Sequence, residues 1–138
     1  MAEKICKKLE KKSVKVNTKL VVAGAWLHDI CRAKEHTADK RHLKEALDDH
    51  AESGYRLIKK LGYPNVAQLI RTHSLILENP ARLPKTIEEK IVFYADKLCI
   101  GNKIATVKGR MEDLSRRYGR PFEKEQEYTL RLEKELFN

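Results

Sequence analysis

Val21-Val22-Ala23-Gly24-Ala25-Trp26-Leu27-His28-Asp29 is an apolar run closed by an imidazole and a carboxylate. Read as a helix, it places Asp29 over Trp26 and Val22, at i−3 and i−7. A second acid, Asp96, follows another apolar run, Ile91-Val92-Phe93-Tyr94-Ala95. On a helix it lies over Val92 and Phe93 on one side and Cys99 and Ile100 on the other. An ionised carboxylate on a buried apolar face costs several kcal/mol unless a partner compensates it. No lysine or arginine stands out on those stripes as that partner. Buried acids beside a histidine therefore point to a bound metal ion.

Outward from these runs, every segment with clear periodicity reads as helical and none alternates convincingly with period two. Ala2 to Lys12 is a short helix with Ile5 and Leu9 on one side, broken by Ser13 to Asn17. Thr18 caps the next helix, which extends to about Ile30, and small Ala23, Gly24 and Ala25 let other helices approach it closely. Arg32 to Arg41 reads as a polar loop, with a short helical turn over Leu43 to Leu47. Asp48 or Asp49 starts a helix carrying Leu57, Ile58 and Leu61, and Gly62 ends it. Pro64 opens the next, whose apolar face is Val66, Leu69, Ile70, Ile76 and Leu77. Pro80 and Pro84 bracket a loop, and Thr86-Ile87-Glu88-Glu89 is a capping-box signature for a helix through Asp96 to about Ile100. Ile104 to Tyr118 is a further helix, and Pro121 opens a charged last one. The fold class predicted is all-α, a compact helical bundle forming one domain over residues 1–138.

Four helical positions share one property. His28, His50, His73 and Asp96 each place a polar side chain on the face its own helix would bury, so a four-helix core would draw them together. Imidazole nitrogen and carboxylate oxygen without thiolate suit a divalent ion from the set Mn, Fe, Co, Ni, Zn and Mg. His28 and Asp29 stand about 100° apart in helical projection. They meet one ion only in the groove between them, unless Asp29 bridges two.

Lys plus Arg number 29 against 20 acids, a surplus of +9. That balance favours anionic ligands such as nucleotides, RNA or phosphate esters. The basic run Lys108-Gly109-Arg110 with Arg116, Arg117 and Arg120 reads as a solvated helix face rather than a nucleic-acid groove. His36 and His42 lack apolar neighbours at helical spacing and read as surface residues. Cys6, Cys31 and Cys99 form no CxxC pair, which predicts free thiols in a reducing cytoplasm. No apolar stretch reaches membrane-spanning length, and the lysine-rich start lacks the apolar core of a signal peptide, so no membrane partner is expected.

Trp26-Leu27-His28-Asp29-Ile30, then His50, His73 within Ile70-Arg71-Thr72-His73, and Tyr94-Ala95-Asp96-Lys97-Leu98 resemble the HD superfamily of metal-dependent phosphohydrolases, in particular small stand-alone proteins with an HDIG-type motif. The likeness is strongest over residues 14–100, with 101–138 a C-terminal helical extension. It implies that His28, Asp29 and Asp96 hold a metal, and that His50 and His73 serve a second metal or the phosphate. Cys31 stands where HDIG-type members usually carry glycine. Family members normally have another metal-binding histidine on a helix before the pair, whereas no histidine precedes His28. Met1 to Lys12 reads as the second half of that region, as if the chain began one helix late, and apolar surface left uncovered that way would promote self-association.

The activity so implied is hydrolysis of a nucleotide or other phosphate ester by a metal-activated water. Asp29 would hold the ion, while Arg32 and Lys34 would neutralise the developing phosphoryl charge. The alternative is a catalytically weakened member that binds a nucleotide or RNA without turnover. A third, weaker reading is a structural helical adaptor whose buried acids find cationic partners.

Overall fold

The computed structural model describes residues 1–32 and 43–138, with 43–49 described by their backbone course. Seven α-helices make up these residues: α1 (Ala2–Glu10), α2 (Thr18–Leu27), α3 (Leu43–Lys60), α4 (Pro64–Thr72), α5 (Ile87–Asp96), α6 (Val107–Tyr118) and α7 (Glu123–Phe137). A small antiparallel hairpin joins α5 to α6. Its strands, β1 (Cys99–Ile100) and β2 (Lys103–Ile104), pair Cys99 with Ile104 and Ile100 with Lys103. The fold is all-α, as the periodicity predicts. Among the described residues no helix is long and apolar enough to cross a membrane.

Helices α2 and α5 form the centre: α2 packs against α1, α4 and α5, and α5 also against α1, α4 and α7, while α3 lies along α4 and α7 covers α5 and α6. Leu9, Val21, Leu69 and Ile91 are fully buried in the main core, and Ile58, Ala67 and Ile70 form a smaller cluster between α3 and α4. The close approach expected of the small residues in α2 is seen at Gly24. A Cβ placed there would stand 2.6 Å from Leu69 Cδ1 and 2.9 Å from Leu69 Cβ, well inside contact distance. Gly54 does the same for α3, where a Cβ would come within 2.8 Å of Ile70 Cγ2. Both bare backbones press on α4 and set the position of its C-terminal end.

Several helix ends differ from those the sequence suggests. Asn17, not Thr18, caps α2, accepting a hydrogen bond from Leu20 N at 3.1 Å, while the Thr18 hydroxyl donates to Glu10 Oε1 at 2.6 Å. Helix α3 is continuous from Leu43, so no new helix begins at Asp48 or Asp49, and His50 lies inside it. Gly62, at φ +94°, ends α3 in the left-handed conformation that glycine adopts without penalty. Helix α4 stops at Thr72, which leaves Ile76 and Leu77 off its face. Helix α5 stops at Asp96 rather than Ile100, because the chain turns there into the hairpin. Strands of two residues are too short to show alternation. The capping box at Thr86 is half formed. Thr86 Oγ1 accepts from Glu89 N at 3.2 Å, but Glu89 Oε2 reaches back to Lys85 N at 2.8 Å instead of to Thr86 N. Trp26, placed under Asp29 by helical projection, is 84% exposed, because α2 is apolar on all sides and its sequence does not mark the core face.

Candidate metal centre

Three helix C-termini converge on one spot. His28 is the residue that follows α2, His73 follows α4, and Asp96 is the last residue of α5. Helix C-termini carry partial negative charge and unpaired carbonyls, so this junction already favours a cation before any side chain is counted. Asp29 follows His28, and His50 reaches in from the middle of α3.

The five side chains meet. His28 Nε2 lies 3.4 Å from Asp29 Oδ2 and 3.4 Å from Asp96 Oδ1. Asp29 Oδ1 lies 3.6 Å from His50 Nε2 and 3.9 Å from His73 Nε2. The last two nitrogens are 3.1 Å apart. Ligand atoms of His28, Asp29 and His73 fall within 4.8 Å of one another, a span that one ion can bridge. His50 and His73 are buried, whereas Asp29 is partly open to a cleft.

The donor set fits a cation on three counts. His28 Nδ1 lies 2.7 Å from the Ala25 carbonyl and His73 Nδ1 lies 2.5 Å from the Ile70 carbonyl. A carbonyl only accepts, so each Nδ1 carries the hydrogen, and in the neutral ring the Nε2 lone pair points into the cluster. Asp29 Oδ1 is buried without a hydrogen-bond partner, an orphaned anionic oxygen facing the Nε2 atoms of His50 and His73. Each carboxylate also divides its work. Asp96 gives Oδ2 to Lys97 Nζ at 2.5 Å and Oδ1 to His28; Asp29 gives Oδ2 to Arg32 Nη1 at 3.3 Å and keeps Oδ1 for the interior. Outer cations thus orient the inner oxygens, as hydrogen-bonding neighbours do around metal sites.

The titration of these groups follows from the same geometry. Burial opposes a charge on His28, but its hydrogen bonds to Asp29 and Asp96 outweigh that and push it up to about 10. Burial, reinforced by the positive His28, pushes His73 down to about 3, so it stays neutral at pH 7. Burial would raise Asp96, yet Lys97 and His28 hold its carboxyl well below the usual range. A proton on His28 therefore bridges the two carboxylates. A divalent ion held by the same atoms would displace it, coupling metal binding to proton release.

Two cations correct the sequence reading. Lys97 and Arg32 are the partners that helical projection fails to reveal, and they compensate much of the carboxylate charge. Lys97 was hidden because it adjoins Asp96 in sequence, while i and i+1 diverge on an ideal helix; the bend that ends α5 brings them together. Buried Arg82 escapes the sequence reading too. Its Nε donates to the Arg71 carbonyl at 3.0 Å, Nη2 to Ser74 Oγ at 2.9 Å, and Nη1 to Glu52 Oε2 at 3.4 Å. It pins the turn carrying His73 to the helix carrying His50. Cys31, in the place usual for glycine, is buried with no need of a glycine backbone, since Ser13 is the lone non-glycine with positive φ among the described residues. Lys34, His36 and His42 lie outside the described residues.

Comparison with known proteins agrees with this geometry. The HD domain family model matches residues 1–100, and the chain belongs to that family. An uncharacterized protein of Methanocaldococcus jannaschii is 27% identical over 124 residues, covering 81% of this chain and 68% of the relative. The tRNA (cytidine(56)-2'-O)-methyltransferase of Picrophilus torridus is 32% identical over 106 residues, covering 68% of this chain. The chain spans 28% of the length of that methyltransferase. No solved structure matches. The HD family is a superfamily of metal-dependent phosphohydrolases, and a His/Asp/His group able to hold a divalent metal is present.

Proposed function

We propose that this chain hydrolyses a phosphate ester, with a nucleotide as the substrate class, using a divalent ion held by His28, Asp29 and Asp96 with His50 and His73. The observation that carries the proposal is Asp29 Oδ1, a buried carboxylate oxygen with no hydrogen-bond donor, facing the Nε2 atoms of His50 and His73. A divalent ion there supplies Lewis acidity toward a phosphoryl oxygen and makes water nucleophilic near neutral pH. The remaining work falls to the chain's own residues. Asp29 and Asp96 keep one oxygen each directed inward because Arg32 and Lys97 occupy the other. Arg32 also lines the cleft beside Asp29, where it can offset phosphoryl charge. His73, held neutral by burial, presents a lone pair at working pH.

The choice among Mn, Fe, Co, Ni, Zn and Mg belongs to experiment. Purified protein is stripped with chelator, reloaded with each ion in turn, and assayed for phosphate release from nucleoside mono-, di- and triphosphates. Ion-dependent release that disappears in Asp29→Asn supports the reading. No release with any ion, and no ion binding at micromolar levels, refutes it.

A second reading has one observation in its favour, the likeness to part of a tRNA methyltransferase. Together with the +9 charge it supports an RNA-binding role without turnover. Binding of tRNA that weakens steeply with salt, in protein that releases no phosphate, would select it.

A further inference from the structure

Helix α6 lies beyond the residues matched by the family model, yet it forms part of the wall of the cleft that opens onto the metal centre. The cleft has a volume of about 630 Å³. His28, Asp29 and Asp96 lie along one part of its lining, and Arg110, Asp113 and Arg117 of α6 along another. The sequence reading places the arginines of this helix on a solvated face. That holds for Arg116, which is exposed, but fails for Arg110, which is only 8% exposed. Its Nε is buried without a hydrogen-bond partner, and its Nη1 stands 3.7 Å from Asp113 Oδ2, beyond hydrogen-bonding distance. The same Asp113 oxygen lies 2.7 Å from Arg117 Nη2, yet it too is buried without a well-aligned hydrogen bond, so one carboxylate stands between two guanidinium groups. Arg110 Nε is thus without a hydrogen bond beside a cluster of metal-ligand type, and two guanidinium groups share one carboxylate, an excess of positive charge that an external anion would balance. Arg110 also borders a smaller cavity shared with Arg32, His50 and His73, so it stands close to the centre on more than one side.

We propose that Arg110 and Arg117 form a phosphate-gripping arm on α6, with Asp113 steadying the Arg117 guanidinium, and that the ligand is a small phosphate monoester the size of a nucleoside monophosphate. Guanidinium forks match phosphate oxygens in pairs, and Arg110 supplies such a fork already dehydrated. The rest of the cleft agrees in size and character. Its volume suits a small molecule rather than a strand of RNA, and Val92, Ala95 and Ile100 give the organic part of the ester an apolar surface. This deepens the hydrolase reading, on which its catalytic meaning rests, but the anion site can be tested separately.

The test is calorimetric titration of inorganic phosphate, then of adenosine 5′-monophosphate, into parent, Arg110→Gln, Arg110→Lys and Arg117→Gln proteins. Each titration is run in chelator and again with Mn²⁺, and Mn²⁺ itself is titrated in parallel. Arg117→Gln and Arg110→Gln should each weaken phosphate binding about tenfold or more, the effect of losing a charge-assisted hydrogen bond. Arg110→Lys, which keeps the charge but not the fork, should fall between, and Mn²⁺ affinity should stay within about twofold of the parent, since neither arginine is a metal ligand. Arg117 is 43% exposed in its side chain, so that variant carries the test even if the buried substitution unfolds the protein. Phosphate affinity unchanged in Arg117→Gln and in folded Arg110→Gln overturns the proposal, as does Mn²⁺ affinity falling in step with phosphate affinity. Failure of the parent to bind Mn²⁺ would instead strike the hydrolase reading, while the titrations in chelator would still report on the arginines.

Discussion

Replacing Lys97 with methionine separates the fold's need for a cation from the site's. The Lys97 side chain is only 3% exposed; its Nζ lies 2.5 Å from Asp96 Oδ2, donates to the His73 carbonyl at 2.8 Å and sits 4.7 Å from the Phe93 ring centroid. Methionine keeps most of the apolar volume but deletes the charge. Removing one partner of a buried pair costs about 3–5 kcal/mol, and Asp96 retains His28 at 3.4 Å, which puts the expected loss near the lower figure. For a chain of this size that corresponds to a fall of about 10 °C in melting temperature. The assay is thermal unfolding of parent and variant, first in chelator and then with saturating Mn²⁺. An ion at about a thousand times its Kd stabilises either protein by about 4 kcal/mol through mass action. It should stabilise the variant more, because Asp96 is no longer shared with an ammonium. The gap between the two proteins should therefore narrow to less than about half once the ion is present. A gap of equal size in both buffers would show that Lys97 and the ion do not act on the same carboxylate, and the reasoning would fail.

The remaining expectations concern the same cluster. In chelator, the folded protein holds His28 at about 10 against an ordinary 6.5, so its stabilising contribution is complete below pH 6.5 and is lost as pH rises through about 10. Urea midpoints should decline across that window in the parent and flatten in His28→Gln. Asp29→Asn preserves shape but removes the orphaned anionic oxygen, and should abolish the ion-dependent rise in melting temperature across a Mn²⁺ titration. Gly24→Ala drives a methyl into Leu69 at 2.6 Å and should cost about 1–3 kcal/mol in thermal unfolding. Because Leu69 precedes His73 by one helical turn, the same variant should also bind Mn²⁺ more weakly.

The bundle was legible because apolar periodicity is a local property, and α1, α4 and α6 each show one face clearly. Helix ends were less so, since they depend on partners distant in sequence. Thr18 looks like a cap by type, yet its hydroxyl serves Glu10 and leaves the cap to Asn17. His28, His73 and Asp96 were recognisable as ligand types, but their shared position at helix C-termini emerges only in three dimensions. A pattern of 3.6 residues per turn continues past a terminus without marking it. Lys97, Arg82 and Arg110 were missed for a common reason. A buried cation is defined by the acid or ligand it meets, and Glu52 and Arg82 meet across a loop and a helix.

If two carboxylates and three imidazoles from four parts of the bundle share a cation, that cation should be visible directly. The most direct measurement is an anomalous difference map at the zinc edge from crystals of the protein grown with Zn²⁺. A peak is expected about 2.0–2.2 Å from Asp29 and from at least one histidine Nε2, with Asp96 completing the shell. Crystals saturated with Zn²⁺ that show no peak there, with His28 still bridging Asp29 and Asp96 through its proton, would contradict a shared cation.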